Sequence, residues 1–390
     1  MSGYKLWKTN LFYIFTALFW SSLYTYQPTM SPYLTSIGVS YSFIGVIGGS
    51  YGLVQMLLRI PVGLMSDRLG KRKAFITLGI STSVLSSFIL YVADSPILIL
   101  FGRGLAGAAA SSWVVFTVLF SSYFDKTQAA SRISFLAAWN NSGQLAGMLI
   151  GGFTAGYMGY KFPFLMGLVI GAIGLLMSFF IEEKVPPCKE PPKIARLLSA
   201  AKNKNLMTMS VLAVLSQLIL FGTMNTFTPL IASDLKATST ELGYLSFFGN
   251  LPRVLSAMLC GLLLARKAGA KRLLALSFIM FAVSSAAIPF SPDLWTLYAL
   301  SIVSGFGSGM SMTVLLSLCT REIEDIRRSA AMGFFQAIYG MGMFIGPVAV
   351  GFFSDGFGII WGFIFAALIA VIGLAGSLLF VENESLVKAV

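Results

Sequence analysis

The chain has 390 residues, 56% of them hydrophobic and only 11% charged, with no histidine and a net charge of +12. Soluble domains carry about a quarter charged residues, so most of this chain is excluded from water. The lack of histidine removes the commonest general base, metal ligand and proton shuttle. Cys188, Cys260 and Cys319 stand at no metal-ligand or disulfide spacing, so no cofactor, no metal and no enzymatic chemistry are expected.

A membrane-crossing helix needs about 20 mostly apolar residues, and twelve runs qualify in chain order. The first six are Leu11–Thr35, Ser42–Ser66, Ala74–Val92, Pro96–Phe124, Ile133–Met158 and Phe162–Ile181. The second six are Leu206–Ala232, Leu242–Ala265, Leu273–Phe290, Leu294–Thr320, Ala330–Ser354 and Ile359–Val381. The first run is too long and aromatic for a cleaved signal. An all-α integral membrane fold is therefore expected, with two pseudo-symmetric six-helix bundles at 1–183 and 206–390. The proline-bearing, charge-rich stretch 184–205 between them reads as a cytoplasmic linker.

Charge placement sets the orientation. With the N-terminus inside, nearly all lysines and arginines fall in inner segments, and the outer loops hold only Lys161 and Lys236. This positive-inside bias places both termini in the cytoplasm of a multi-pass cell-membrane protein. It also accounts for the basic balance without a nucleic-acid partner. The partners implied are the lipid bilayer, a small-molecule substrate and a coupling ion, either a proton or a counter-anion.

The halves read as repeats. Gly45 and Gly63 are answered by Gly243 and Gly261 at an offset of 198, and Gly143 and Gly147 by Gly342 and Gly346 at 199. Because one chain supplies both halves, a functional monomer is expected. Parallel repeats of this kind are a transporter plan, with the substrate site near the midplane. No G-x-x-x-x-G-K-[ST] loop is present to couple ATP.

The segment Gly63-Leu64-Met65-Ser66-Asp67-Arg68-Leu69-Gly70-Lys71-Arg72-Lys73, between the second and third runs, resembles the loop signature of the major facilitator superfamily. A degenerate second copy follows at Gly261–Arg272, with Ala265 in place of the acid. The resemblance extends over the whole chain and implies that Gly63, Asp67, Arg68, Gly70, Arg72 and Asp125 act in gating. Physically, Gly63 can admit a neighbouring helix closely. Asp67 can accept hydrogen bonds from the N-terminus of the eleventh helix near Arg328–Met332, and Arg68 and Arg72 can pair with Asp125. A plain topology signal is the alternative reading.

Gly143-x-x-x-Gly147-Met148-x-x-Gly151-Gly152 resembles the signature of exporting antiporters in that superfamily, with Met148 where the family has proline. Small-residue helix packing would give the same pattern. Arg103, in Phe101-Gly102-Arg103-Gly104, resembles the fourth-helix arginine of proton-coupled members and is a coupling candidate; a buried packing role is the alternative.

An ionisable group inside a membrane helix is a functional hypothesis by default. Arg253, beside Gly249, Asn250 and Pro252, can hold an anionic substrate group or satisfy carbonyls freed by the proline. Arg59, before Pro61, can guard the inner mouth or reach the interface. Tyr26, Gln27, Asn140, Gln144, Asn225 and Gln336 are candidate substrate contacts, since in lipid each polar group needs a partner or a wet cavity. Interhelical hydrogen bonding is the other possibility. No carboxylate is expected at mid-membrane, which favours an anionic or zwitterionic solute over a cationic one. A secondary transporter working by alternating access is the first expectation; a proton-coupled efflux antiporter for amphipathic compounds is the second.

Overall fold

Where lipid replaces water, only an internally hydrogen-bonded backbone is tolerated, and the apolar runs accordingly form helices. The computed structural model describes residues 3–183, 203–260, 269–319, 321, 323 and 325–382, with no strand among them. Of the expected linker 184–205, residues 184–202 lie outside the described residues, as does most of the second signature copy, 261–268, while residues 204 and 205 already belong to a helix.

The first helices are α1 (Gly3–Tyr24), α2 (Met30–Ser36), α3 (Tyr41–Leu69), α4 (Arg72–Val92) and α5 (Pro96–Ser111). They are followed by α6 (Trp113–Ser121), α7 (Lys126–Met158) and α8 (Phe162–Ser178). After the linker come α9 (Lys204–Gly222), α10 (Thr228–Asp234), α11 (Ser239–Leu259), α12 (Ala270–Ala287), α13 (Leu294–Leu318), α14 (Asp325–Phe357) and α15 (Ile359–Phe380). Each expected apolar run coincides with one helix or, for the first, fourth and seventh, with two in succession. Among the described residues eight helical stretches are long and apolar enough to cross a membrane, and α8 is a shorter apolar helix. Exposed side chains such as Ile97, Leu176, Phe352 and Leu379 form the apolar outer faces.

Packing contacts divide the chain into two compact units. The first holds residues 1–30, 54–191 and 239–244; the second holds 31–53, 192–238 and 245–390. The division therefore does not follow a single cut at the linker. The start of α3 belongs to the second unit, and the start of α11 belongs to the first.

In the first unit α1 is central, packing on α7 and α8, while α4 packs on α5 and α8. Its core is aromatic. Phe12 meets Phe120 at 5.0 Å, Phe15 stacks on Phe116 at 5.2 Å, and Phe19 lies 4.9 Å from Phe116. Buried serines tie the helices together: Ser22 and Ser83 share a hydrogen bond at 2.8 Å, and Ser86 donates to the Gly102 carbonyl at 2.7 Å. At one end Lys8 pairs with Glu182, and Tyr123 donates to the Glu182 carbonyl.

In the second unit α9 takes the place of α1, packing on α14, and α12 packs on α13 and α15. Ser216 and Ser311 repeat the buried serine bond at 2.9 Å. Asp293 caps α13 by accepting the Thr296 N–H at 2.7 Å.

The glycine pairs read as repeats make equivalent contacts. A methyl added to Gly143 or Gly147 would strike the carbonyl of Ala17 or Ser21 on α1, the latter at 2.6 Å. One added to Gly342 or Gly346 would strike the carbonyl of Val214 or Leu218 on α9. These partners are themselves 197 residues apart, so one close crossing is built twice. The same holds for the second glycine pair: Gly45 abuts the Pro347 carbonyl, and Gly243 lies against the Met148 carbonyl, where a methyl would sit 3.3 Å away.

Candidate transport site and gating residues

The first span is broken between α1 and α2. Residues 25–29 form turns, with Gln27 N–H donating to the Tyr24 carbonyl at 3.3 Å and Met30 N–H to the Tyr26 carbonyl at 3.0 Å. Pro28 has no N–H to continue a helix. The seventh span breaks at the corresponding place, where Thr223–Phe227 form a π turn between α9 and α10. Thr226 Oγ1 donates to the Phe221 carbonyl at 2.8 Å, and Pro229 cannot donate back to Asn225. Gln27 and Asn225 thus occupy equivalent breaks, 198 residues apart. Single-turn π segments inside helices often mark functional positions.

At the first break the structure brings three candidates together. Arg103 Nη2 donates to Gln27 Oε1 at 3.0 Å, and its guanidinium lies 5.6 Å from the Tyr26 ring centroid. Arg103 is 4% exposed and Tyr26 fully buried, with Tyr26 against Phe164 at 5.3 Å. The arginine is held by an amide and an aromatic face.

On α7, Asn140 and Gln144 are both buried, and Gln144 Nε2 donates to Asn140 Oδ1 at 2.5 Å. One residue before them, Trp139 stacks on Tyr13 at 6.0 Å. About two turns beyond Tyr13 on α1, Trp20 meets Trp113 edge-on at 5.6 Å. The Trp20 indole N–H and the Tyr26 hydroxyl are buried without a hydrogen-bond partner among the described residues.

Arg253 is half-buried on α11, just past Pro252, and Ser256 donates to its carbonyl at 3.1 Å. Asn225 and Gln336 are half-buried on different helices.

The signature loop departs from expectation in two respects. Arg72 pairs with Asp67, at 2.7 Å from Nη2 and 3.2 Å from Nε, and not with Asp125. Its own N–H is received by Glu183. The reason is the short turn: Gly70 adopts φ +60°, which swings the start of α4 back beside the end of α3. Arg68 and Asp125 are exposed. Gly63 is not a close-approach site either, since an added methyl would lie 3.6 Å from Val114, an ordinary contact. Arg59 is buried at 7% exposure on the same helix. Side chains 324–330, including Arg328, lie outside the described residues.

Two further contacts were not read from the sequence. Asp355 accepts the N–H of Tyr41 at 2.9 Å and of Ser42 at 2.8 Å, capping α3 from the far end of α14. A methyl on Gly152 would lie 2.6 Å from Gly243 Cα. The signal for the first was available: an acid in the last turn of a helix opposes that helix's dipole, so it serves something else.

Broken first and seventh spans, doubled glycine crossings and a basic turn after the second span define a membrane transporter built from repeats. The chain belongs to the Major Facilitator Superfamily, whose profile matches residues 11–233 and 209–389. It is 26% identical over 378 residues to an uncharacterized MFS-type transporter of Methanocaldococcus jannaschii, covering 94% of this chain and 96% of the relative. It is 23% identical to the quinolone resistance protein NorA of Staphylococcus aureus (strain COL), covering 84% and 85%. In fold it is similar to the nucleoside transporter NupG, with a TM-score of 0.80 at 14% identity over 97% of this chain and 100% of that one.

Proposed function

We propose that the chain is a secondary active transporter that moves a small organic solute across the cytoplasmic membrane by rocker-switch alternating access. The two halves, 1–183 and 206–390, would rock about the broken spans, with 184–205 as a cytoplasmic tether and both termini inside. The observation that carries the reading is the pair of equivalent breaks at Gln27 and Asn225, because interrupted helices expose backbone and amide groups at membrane depth.

An anionic or zwitterionic solute is favoured. Every acid among the described residues lies outside a helix or in a helix's first or last turn, whereas Arg59, Arg103 and Arg253 lie within helices. Arg253, Gln27, Tyr26, Asn140, Gln144, Asn225 and Gln336 are the proposed substrate contacts. Asp67, Arg68, Gly70, Arg72, Asp125, Arg59 and Gly63 are the proposed gating set, with Gly63 now the weakest member. One chain suffices for this cycle.

A second reading, proton-coupled efflux of amphipathic compounds, is favoured by the similarity to a quinolone resistance protein. The fifth-span glycines also serve packing, since Gly143 and Gly147 abut α1 carbonyls and Gly151 abuts the carbonyl of Thr25 in the break that follows α1. A proteoliposome flux panel with separately imposed pH and charge gradients tests both. Uptake of organic anions that responds to their own gradient supports the first reading. Extrusion of cationic amphiphiles that requires a proton gradient supports the second and overturns the first.

A further inference from the structure

A cavity of about 540 Å³ opens at one end of the second unit, lined by none of the proposed substrate-contact or gating residues. Its polar wall carries Lys204 at the start of α9, Lys271 at the start of α12 and Arg321 just beyond α13, against the single acid Glu382. Asn205 and Thr208 add to the polar wall, and the apolar wall includes Leu318, and Leu379 and Phe380 at the end of α15, which are 75% and 65% exposed. Two helices begin at this cavity, so their positive dipole ends add to the three cations. Asn203 takes the Leu206 N–H at 2.8 Å and fixes the start of α9.

We propose that this cavity binds the phosphate of an anionic phospholipid. The combination is specific to such a ligand. A free anion needs only the charged wall, whereas a lipid also places acyl chains along a lipid-facing apolar edge, where Leu379 and Phe380 stand. Basic clusters at the ends of membrane helices are the expected receptors for acidic headgroups, each cation contributing about fivefold in affinity. Attachment at the junction of α9, α12 and α15 would pin the end of the second unit to the leaflet, beside the residues where the linker re-enters the membrane.

The test uses the full chain, purified in detergent and offered phosphatidylglycerol or phosphatidylcholine, with retained lipid counted by native mass spectrometry. Phosphatidylglycerol should be preferred, and the preference should fall as salt is raised. Lys271→Gln/Arg321→Gln should lose about 25-fold in phosphatidylglycerol affinity, while the charge-keeping Lys271→Arg/Arg321→Lys retains it. Glycerol 3-phosphate and inorganic phosphate should compete poorly. Equal retention of the two lipids overturns the proposal, as does a neutralised variant that binds like the parent. Efficient displacement by free phosphate assigns the site to a soluble anion and also overturns it. If the neutralised pair fails to fold, a salt-independent preference in the parent chain has the same force.

Discussion

The carboxylate of Asp355, in the last turn of α14, receives the first two backbone N–H groups of α3, those of Tyr41 and Ser42. It thus caps a helix more than three hundred residues away in sequence, and it mirrors in kind the role the signature loop assigns to Asp67. Replacing Asp355 with Ala removes both acceptors and should cost about 0.5–2 kcal/mol. Thermal unfolding of the detergent-purified protein checks this. A melting point equal to the parent's would mean that water caps α3 just as well.

The glycines divide into those that touch and those that do not. Gly45→Ala drives a methyl into the Pro347 carbonyl, and Gly152→Ala places one 2.6 Å from Gly243 Cα. Each should cost about 1–3 kcal/mol by overpacking and lower flux. Gly63→Ala should be nearly silent, because its nearest neighbour would be Val114 at 3.6 Å. Parallel stability and flux measurements on the three variants separate contact from signature membership. A damaging Gly63→Ala with harmless partners would reverse the assignment.

Arg103 is held by Gln27 and the Tyr26 face. Hydrogen bonds to charged groups contribute about 1.5–3 kcal/mol, so Gln27→Ala and Arg103→Ala should each reduce flux on the order of tenfold or more. Because the two residues share one interaction, the double variant should be far less damaged than the sum of the singles. Additive losses would show that they act separately.

Asp293 lies outside the membrane helices. The backbone N–H of Thr296 holds its carboxyl below the usual range. A depressed native pKa contributes stability above the unfolded value of about 3.9, which is lost as pH falls through the native one. Asp293→Ala should therefore lower the melting point at pH 7, and the gap to the parent should close as the solution is acidified below about pH 4. A gap that stays constant with pH would rule out the charged cap.

The helices were legible because apolar length is a local property, and so were the repeats, because a fixed offset survives in the sequence. Gly143 with Gly342 and Gly45 with Gly243 were found this way, and their contacts agree. What a glycine or a charge meets was not legible. Gly63 and Gly45 look alike in sequence, but only Gly45 lies at a helix crossing. Arg72 was expected to reach Asp125, yet the turn at Gly70 brings Asp67 within reach first. The capping partner of Asp355 depends on chain segments brought together from opposite ends of the sequence, which no local pattern encodes.

The central claim is that transport turns on the two equivalent breaks in the first and seventh spans. Its most direct measurement is solute flux in proteoliposomes for Gln27→Ala and Asn225→Ala, each with its melting point recorded. The account predicts folded proteins that have lost most of their gradient-driven flux in both cases. Wild-type flux in both variants would contradict it.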